Sequence, residues 1–220
     1  DESGAVIPVS LENGVVKITQ PSIKGDVNND GKVRSNDAML ALRIAAGLMV
    51  PSDYQKWAAD MNDDGKIRSN DAMLILRKAA GLAAPEIQPV ATGSGESTVM
   101  LGESHGVAGE RITVPLMVDN VHQLASGDIC IAYDSAVLRA VEVSSDSEVL
   151  LQSNVAEPGM IRIAFAGTDG LNSKTVAKIQ FDILADDVSP LTLKQVELYQ
   201  SDALLVDSQK IDGVFSSWAI

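Results

Sequence analysis

Cysteine is almost missing from this 220-residue chain: Cys130 stands alone, so no disulfide can close within it and clusters of thiolate metal ligands are excluded. Histidine is nearly as scarce, with His105 and His122 the only two, which leaves little material for an imidazole-based catalytic site. No run approaches the ~18 consecutive apolar residues of a membrane-spanning helix, so no membrane insertion is expected. Positive charge is in deficit, 17 Lys and Arg against 30 Asp and Glu, a net charge of −13. Phosphate binding needs clustered Lys and Arg, so a nucleic-acid partner or an anionic membrane surface is disfavoured. Aromatic residues make up only 4%, and stability must come from aliphatic packing or from something bound. What remains, 45% apolar and 21% charged, is the composition of one or two globular domains rather than of a disordered chain. The chain begins at Asp1 without an initiator Met or a secretory signal and reads as a piece of a longer or processed polypeptide.

An internal repeat organises the first half. Residues 26–48 (DVNNDGKVRSNDAMLALRIAAGL) and 60–82 (DMNDDGKIRSNDAMLILRKAAGL) lie 34 positions apart and agree at 18 of 23 positions. Residues 83–96 (AAPEIQPVATGSGE) read as a linker. Residues 1–23 read as a short hairpin around Glu12-Asn13-Gly14, the β tail of a preceding module.

Each repeat opens with Asp-x-Asn-x-Asp-Gly and carries a further Asp at its twelfth position. The side chains so spaced are Asp26, Asn28, Asp30 and Asp37, then Asp60, Asn62, Asp64 and Asp71. Ca²⁺ is a hard cation that takes six to eight oxygens, and short oxygen side chains at positions 1, 3 and 5 converge as the chain curls. Gly31 and Gly65 permit the turn at position 6. Position 7 gives a backbone carbonyl, so Lys32 and Lys66 serve despite their charge, and position 9, Arg34 or Arg68, works through water. Two Ca²⁺ ions are expected.

A helix follows each loop. Ser35 and Ser69, with Asn36 and Asn70, offer N-cap oxygens, Asp37 and Asp71 suit the first turn, and Gly47 and Gly81 end the helix. Met39, Leu42 and Ala46, flanked by Leu40 and Ile44, form an apolar stripe that Met73, Leu76 and Ala80 repeat. Residues 52–59 fit one short connecting helix, with Trp57 as a core anchor. No room is left for a helix ahead of the first loop, so these are loop–helix half-hands.

From residue 97 the period becomes two. Val114/Leu116/Val118, Ile129/Ile131/Tyr133, Ile161/Ile163/Phe165 and Ile179/Phe181/Ile183 alternate as half-buried strands do. Several such runs separated by Gly, Asn and Asp predict a β-sandwich. Cys130 falls among them as a core residue.

Residues 24–82, with their duplicated calcium loops and three-helix layout, resemble a dockerin, an interaction module of cellulosome-type assemblies. The resemblance implies recognition residues at loop positions 10 and 11 and farther down each helix: Ser35, Asn36, Leu42 and Arg43, then Ser69, Asn70, Leu76 and Arg77. Asn stands where the family often has Thr, and position 22 is Gly rather than a long basic residue, which bears on partner choice and not on calcium. For Ser35 and Ser69 plain helix capping is an equal reading. Residues 97–217 resemble a cohesin, the dockerin's partner, on GVAGERITVPLMVDNV, GDICIAYDSAVLRAVEV, MIRIAFAGTDGLNSKTVAKIQFDIL and the closing DGVF. This implies a nine-stranded jelly roll, and a dockerin-binding face carrying Ser126, Asp128, Ala164, Ala166, Leu205 and Asp207. An ordinary solvated strand residue is the other reading of Asp128.

The fold class expected is therefore multidomain: a small all-α calcium loop–helix duplicate over 24–82, a linker over 83–96, and an all-β jelly-roll sandwich over 97–220. Residues 24–82 carry a net charge of +1 and residues 96–220 one of −11, so the calcium-loaded repeat and the sandwich are complementary. The function expected is calcium-dependent recognition between dockerin and cohesin modules, of this chain or of others, in an extracellular or cell-surface assembly for polysaccharide breakdown. A calcium-rigidified adhesive spacer and a carbohydrate-binding sandwich are the alternatives. No catalytic residue and no enzyme activity is expected.

Overall fold

The computed structural model describes residues 9–12, 15–18, 22–82, 97–119, 123–168, 171 and 174–218. Strands β1 (Val9–Glu12) and β2 (Val15–Ile18) pair antiparallel; residues 13 and 14, where the turn is expected, lie outside the described residues. So does the 83–96 linker.

Three helices follow, α1 (Ser35–Ala45), α2 (Asp53–Ala59) and α3 (Ser69–Ala79). Their starts differ in one respect from the sequence reading. Ser35 and Ser69 are the first helical residues and Arg34 and Arg68 the caps; the oxygen that satisfies each cap N–H belongs to Asp37 or Asp71, both at 2.9 Å. The Asp-rich loop and the helix start thus share one carboxylate. At the other end Gly47 and Gly81 take φ of 72° and 70°, and Leu48 and Leu82 donate back to the carbonyls of Arg43 and Arg77. α2 is capped by Ser52 and Gln55 reciprocally.

Ala38, Ala41, Leu42, Ala46, Ala72, Met73 and Ile75 are buried between α1 and α3, so the expected stripe holds at Leu42, Ala46 and Met73, whereas Ala80 is exposed. Trp57 is not a core anchor: 42% of it is exposed, and it lies under the Lys24 ammonium and beside the Tyr54 ring. Tyr54 takes the anchoring part instead, donating its hydroxyl to the carbonyl of Asp26 at 2.8 Å.

The sandwich is built from β3 (Ser97–Leu101), β4 (Ser104–Gly106), β5 (Arg111–Asp119), β6 (Leu124–Ala132), β7 (Leu138–Ser144), β8 (Leu150–Asn154), β9 (Met160–Ala166), β10 (Thr175–Ile183), β11 (Val188–Gln200), β12 (Leu205–Val206), β13 (Ser208–Ile211) and β14 (Gly213–Ser217). One sheet has the order β13-β3-β5-β10-β7; the other runs β4-β14-β11-β6-β9-β8, with β12 attached to β11. The short strands β4, β12 and β13 take the number past the nine expected. All twelve apolar residues read as alternating are buried, and the two sheets close over Phe165, Phe181 and Phe215. Cys130 is buried as expected, its thiol 3.1 Å from the sulfur of Met160.

Candidate interaction face and calcium loops

The two loops have one geometry. Asn29 and Asp63 at position 4 and Gly31 and Gly65 at position 6 all take positive φ, which curls the chain around the first carboxylate. Asp26 accepts from the amides of Asp30 (3.1 Å) and Gly31 (2.8 Å), and Asp60 from those of Asp64 (3.2 Å) and Gly65 (3.0 Å). Asn28 and Asn62 turn their amide oxygens onto the same Asp30 and Asp64 amides. Asp37 reaches back across the loop to Asn28 N, as Asp71 does to Met61 N. Among the described residues no three Asp, Glu, His or Cys side chains are drawn together as a closed metal site; the loop carboxylates share backbone amides around each turn. The donors are all oxygen, and Asp26, Asp37 and Asp71 are buried. Burial pushes Asp71 up to about 6 in spite of three backbone amides, and the Asp60 carboxylate adds to the rise. That donor set, on that curl, fits a hard divalent cation.

The helices lie on the β-sandwich. α3 runs over β6 and β9, and α1 over β8 and β9. Strand register makes the face beneath them two rows of side chains. Glu197 of β11 stands opposite Asp128 of β6, which stands opposite Ala164 of β9 and then Gln152 of β8; the neighbouring row is Tyr199, Ser126, Ala166 and Leu150. Ala125, Ala164 and Ala166 form one buried cluster with the apolar residues of α1 and α3. Small residues here let the helices approach the sheet.

Polar contacts surround this cluster. Asp128 accepts two hydrogen bonds on one oxygen, from Ser69 N at 3.0 Å and Ser69 Oγ at 2.7 Å. Burial pushes its carboxyl up to about 6; the Ser69 hydrogen bonds and Arg68 pull against this without cancelling it. Arg68 pairs with Glu197 at 3.0 Å, and Tyr199, its own ionisation suppressed by burial and by that carboxylate, donates to Glu197 at 3.0 Å. Arg77 donates to the carbonyl of Thr168 at 3.2 Å, and Asn154 to that of Gly47 at 3.3 Å.

The site residues named from sequence fall into two groups. Ser69, Asn70, Leu42, Leu76, Arg77, Ser126, Asp128, Ala164 and Ala166 lie within or beside the contact, although Asn70 turns its oxygen to the amide of Asp71 and Ser126 Oγ is buried with no hydrogen-bond partner among the described residues. Ser35, Asn36 and Arg43, the counterparts in the first copy, are exposed. Leu205 is 65% exposed and Asp207 is exposed, both outside the helix-facing cluster. The sequence reading missed Glu197, Tyr199 and Asn154, and placed Arg68 in its loop without the contact to Glu197. Glu197 and Tyr199 alternate along one strand, a signal that becomes legible only once that strand is set beside β6.

Comparison with known proteins agrees in both halves. A dockerin type I domain model matches residues 24–78, and a cohesin domain model residues 97–214. Among solved structures, a non-cellulosomal cohesin from the hyperthermophilic archaeon Archaeoglobus fulgidus is similar at 22% identity and a TM-score of 0.51, over 56% of this chain and 91% of that one. The seventh ScaB type I cohesin from Pseudobacteroides cellulosolvens is similar at 20% identity and a TM-score of 0.50, over 56% of this chain and 92% of that one. These likenesses show the fold. No curated protein matches the chain. Dockerins and cohesins are non-catalytic protein-interaction modules; type I dockerins generally bind calcium, and both modules occur in cellulosome components, which are generally extracellular. The chain belongs to the cohesin family and carries, ahead of its cohesin domain, a dockerin type I domain.

Proposed function

We propose that this chain is a calcium-dependent scaffolding module whose dockerin docks on its own cohesin, with the second repeat, α3, as the reading helix. The observation that carries this is Asp128 of the cohesin accepting from both the amide and the hydroxyl of Ser69 across a separation of 59 residues. Around it Leu42, Leu76, Arg77, Ala164 and Ala166 complete the contact, with Ser126 beneath. Ser35, Asn36 and Arg43 remain open to solvent as the equivalent surface of the first copy. Leu205 and Asp207 stand apart from it.

Two Ca²⁺ ions would be held by Asp26, Asn28, Asp30, the carbonyl of Lys32 and Asp37, and by Asp60, Asn62, Asp64, the carbonyl of Lys66 and Asp71. Calcium, when bound, offsets the charge of these carboxylates. The domain contributes the rest: Asp37 and Asp71 each tie a loop to the first turn of a helix, so a settled loop fixes where that helix starts and where Ser69 points. The complementary charges of the two domains, +1 against −11, favour rapid and selective encounter. No residue is assigned a catalytic role, and the setting is extracellular or at the cell surface.

Small-angle scattering of the whole chain in calcium tests this. A compact particle that expands on Asp128→Ala is expected; identical profiles for the two chains would overturn the docking.

A further inference from the structure

The two calcium loops are nearly identical in sequence, yet docking places them in different electrostatic surroundings. In each, the position-9 arginine pairs with the position-5 aspartate: Arg34 with Asp30 at 2.8 Å and Arg68 with Asp64 at 2.7 Å. There the likeness ends. The Arg34 side chain is half exposed, and among the described residues Asp30 is its only carboxylate partner. The Arg68 side chain is 21% exposed and is also held by Glu197 of the cohesin domain at 3.0 Å. Glu197 is itself fixed, one oxygen by the Tyr199 hydroxyl and the other by Gln195, each at 3.0 Å.

We infer that the Arg68–Glu197 pair couples the second calcium loop to docking, so that seating α3 on the sheet tightens cation binding at residues 60–71 and leaves residues 26–37 unchanged. The inference rests on the docked arrangement proposed above and on loops that take Ca²⁺. Its physics is Coulombic. A guanidinium lying on Asp64 competes with a divalent cation for that carboxylate and repels it. Glu197 brings a compensating negative charge to the same guanidinium, in a contact only a quarter exposed, where solvent screens it weakly. By reciprocity, calcium in the second loop strengthens docking by the factor by which docking strengthens calcium there. Wild-type loops cannot simply be compared with each other, because Asp63, paired with Lys24 at 2.7 Å, stands where the first loop has Asn29. The informative change is therefore at Glu197, outside both loops.

Gly31 and Gly65 are built-in reporters, since each donates its amide to the first carboxylate of its own loop, at 2.8 and 3.0 Å. Calcium titration of the full chain and of its Glu197→Gln variant, following these two amide resonances, tests the inference, with small-angle scattering of the same samples reporting docking. The Gly65 midpoint should move to about fivefold higher free calcium in Glu197→Gln, as for an ion pair of partial exposure, while the Gly31 midpoint stays. Tyr199→Phe, which frees Glu197 but keeps its charge, should give a smaller shift in the same direction. An unmoved Gly65 midpoint in a chain that remains compact would overturn the coupling and leave the docking intact. Equal shifts at both loops would also overturn it, showing a general charge effect. A wild-type chain extended in calcium would overturn the docking reading, and the coupling with it.

Discussion

At the scale of single residues, the proposed docking rests first on Asp128 and its two hydrogen bonds from Ser69. A carboxylate that accepts two hydrogen bonds from Ser69 is worth roughly 2 kcal/mol when its partners would otherwise be left unsatisfied in the contact. Asp128→Ala should therefore weaken docking by about thirtyfold, measured as the concentration of the dockerin half needed to occupy the cohesin half once the two are cut apart in the linker. The same residue makes docking respond to pH. Its carboxyl is pushed up to about 6 by burial, whereas a free carboxylate titrates near 3.8, so the docked form binds the proton more readily. The sign follows: docking takes up a proton between these values, is tightest below them and weakens as pH rises through 6. Between pH 7 and 5, with calcium kept saturating, docking should tighten by about tenfold at most, the ceiling set over that range by a carboxyl at about 6 when docked and near 3.8 when free. Asp128→Asn should abolish this response; a pH profile shared by the variant and wild type would contradict the assignment.

At the scale of elements, calcium bound as proposed bears on the helices and not on the strands. α1, α2 and α3 have 11, 7 and 11 residues, lengths at which isolated helices are marginal in water. The starts of α1 and α3 are capped by Asp37 and Asp71, carboxylates of the two loops. Chelator should abolish most helical circular dichroism while the β signal persists; an unchanged helical signal would count against metal-dependent folding. In the sandwich, β6 has no room for a side chain at Gly127. A Cβ there would lie 2.7 Å from the Phe165 ring and 2.8 Å from Leu198. Gly127→Ala should cost about 2 kcal/mol by overpacking, read as a lower denaturant midpoint of the β signal. The elements themselves were legible in the sequence, because the loop spacing, the helix-ending glycines and the period-two strands are local signals. The first turn was less so: Ser35 and Ser69 look like caps, but the loop carboxylate two residues on takes that role. Trp57 is not buried as its size suggests, because only the Lys24 ammonium and the Tyr54 ring are seen against it among the described residues, and no apolar layer closes over it.

At the scale of the whole molecule, the question is which cohesin the dockerin meets. The 14 residues of the linker reach at most about 45–50 Å, and a tether of that length gives an effective concentration near the mM range. Against that, an outside dockerin at micromolar concentration competes poorly, so the chain should remain monomeric. The face itself was half legible. Asp128, Ala164 and Ala166 could be placed from motifs that each lie within one strand. Glu197, Tyr199 and the carbonyl of Thr168 could not, because they reach the face only through the pairing of β11 with β6 and the crossing of α3 above, which no local pattern encodes. Leu205 and Asp207 come from a motif whose segment pairs with β11 at the sheet edge, Leu205 opposite Tyr199, and both are exposed.

The most direct measurement is sedimentation equilibrium of the chain after proteolytic cutting at a site introduced into the 83–96 linker. In calcium the uncut chain should be a 23.2 kDa monomer at every concentration. The two cut halves should remain together as one particle of nearly that mass and separate when chelator is added. Halves that sediment apart in calcium, or an uncut chain whose mass grows with concentration, would contradict it.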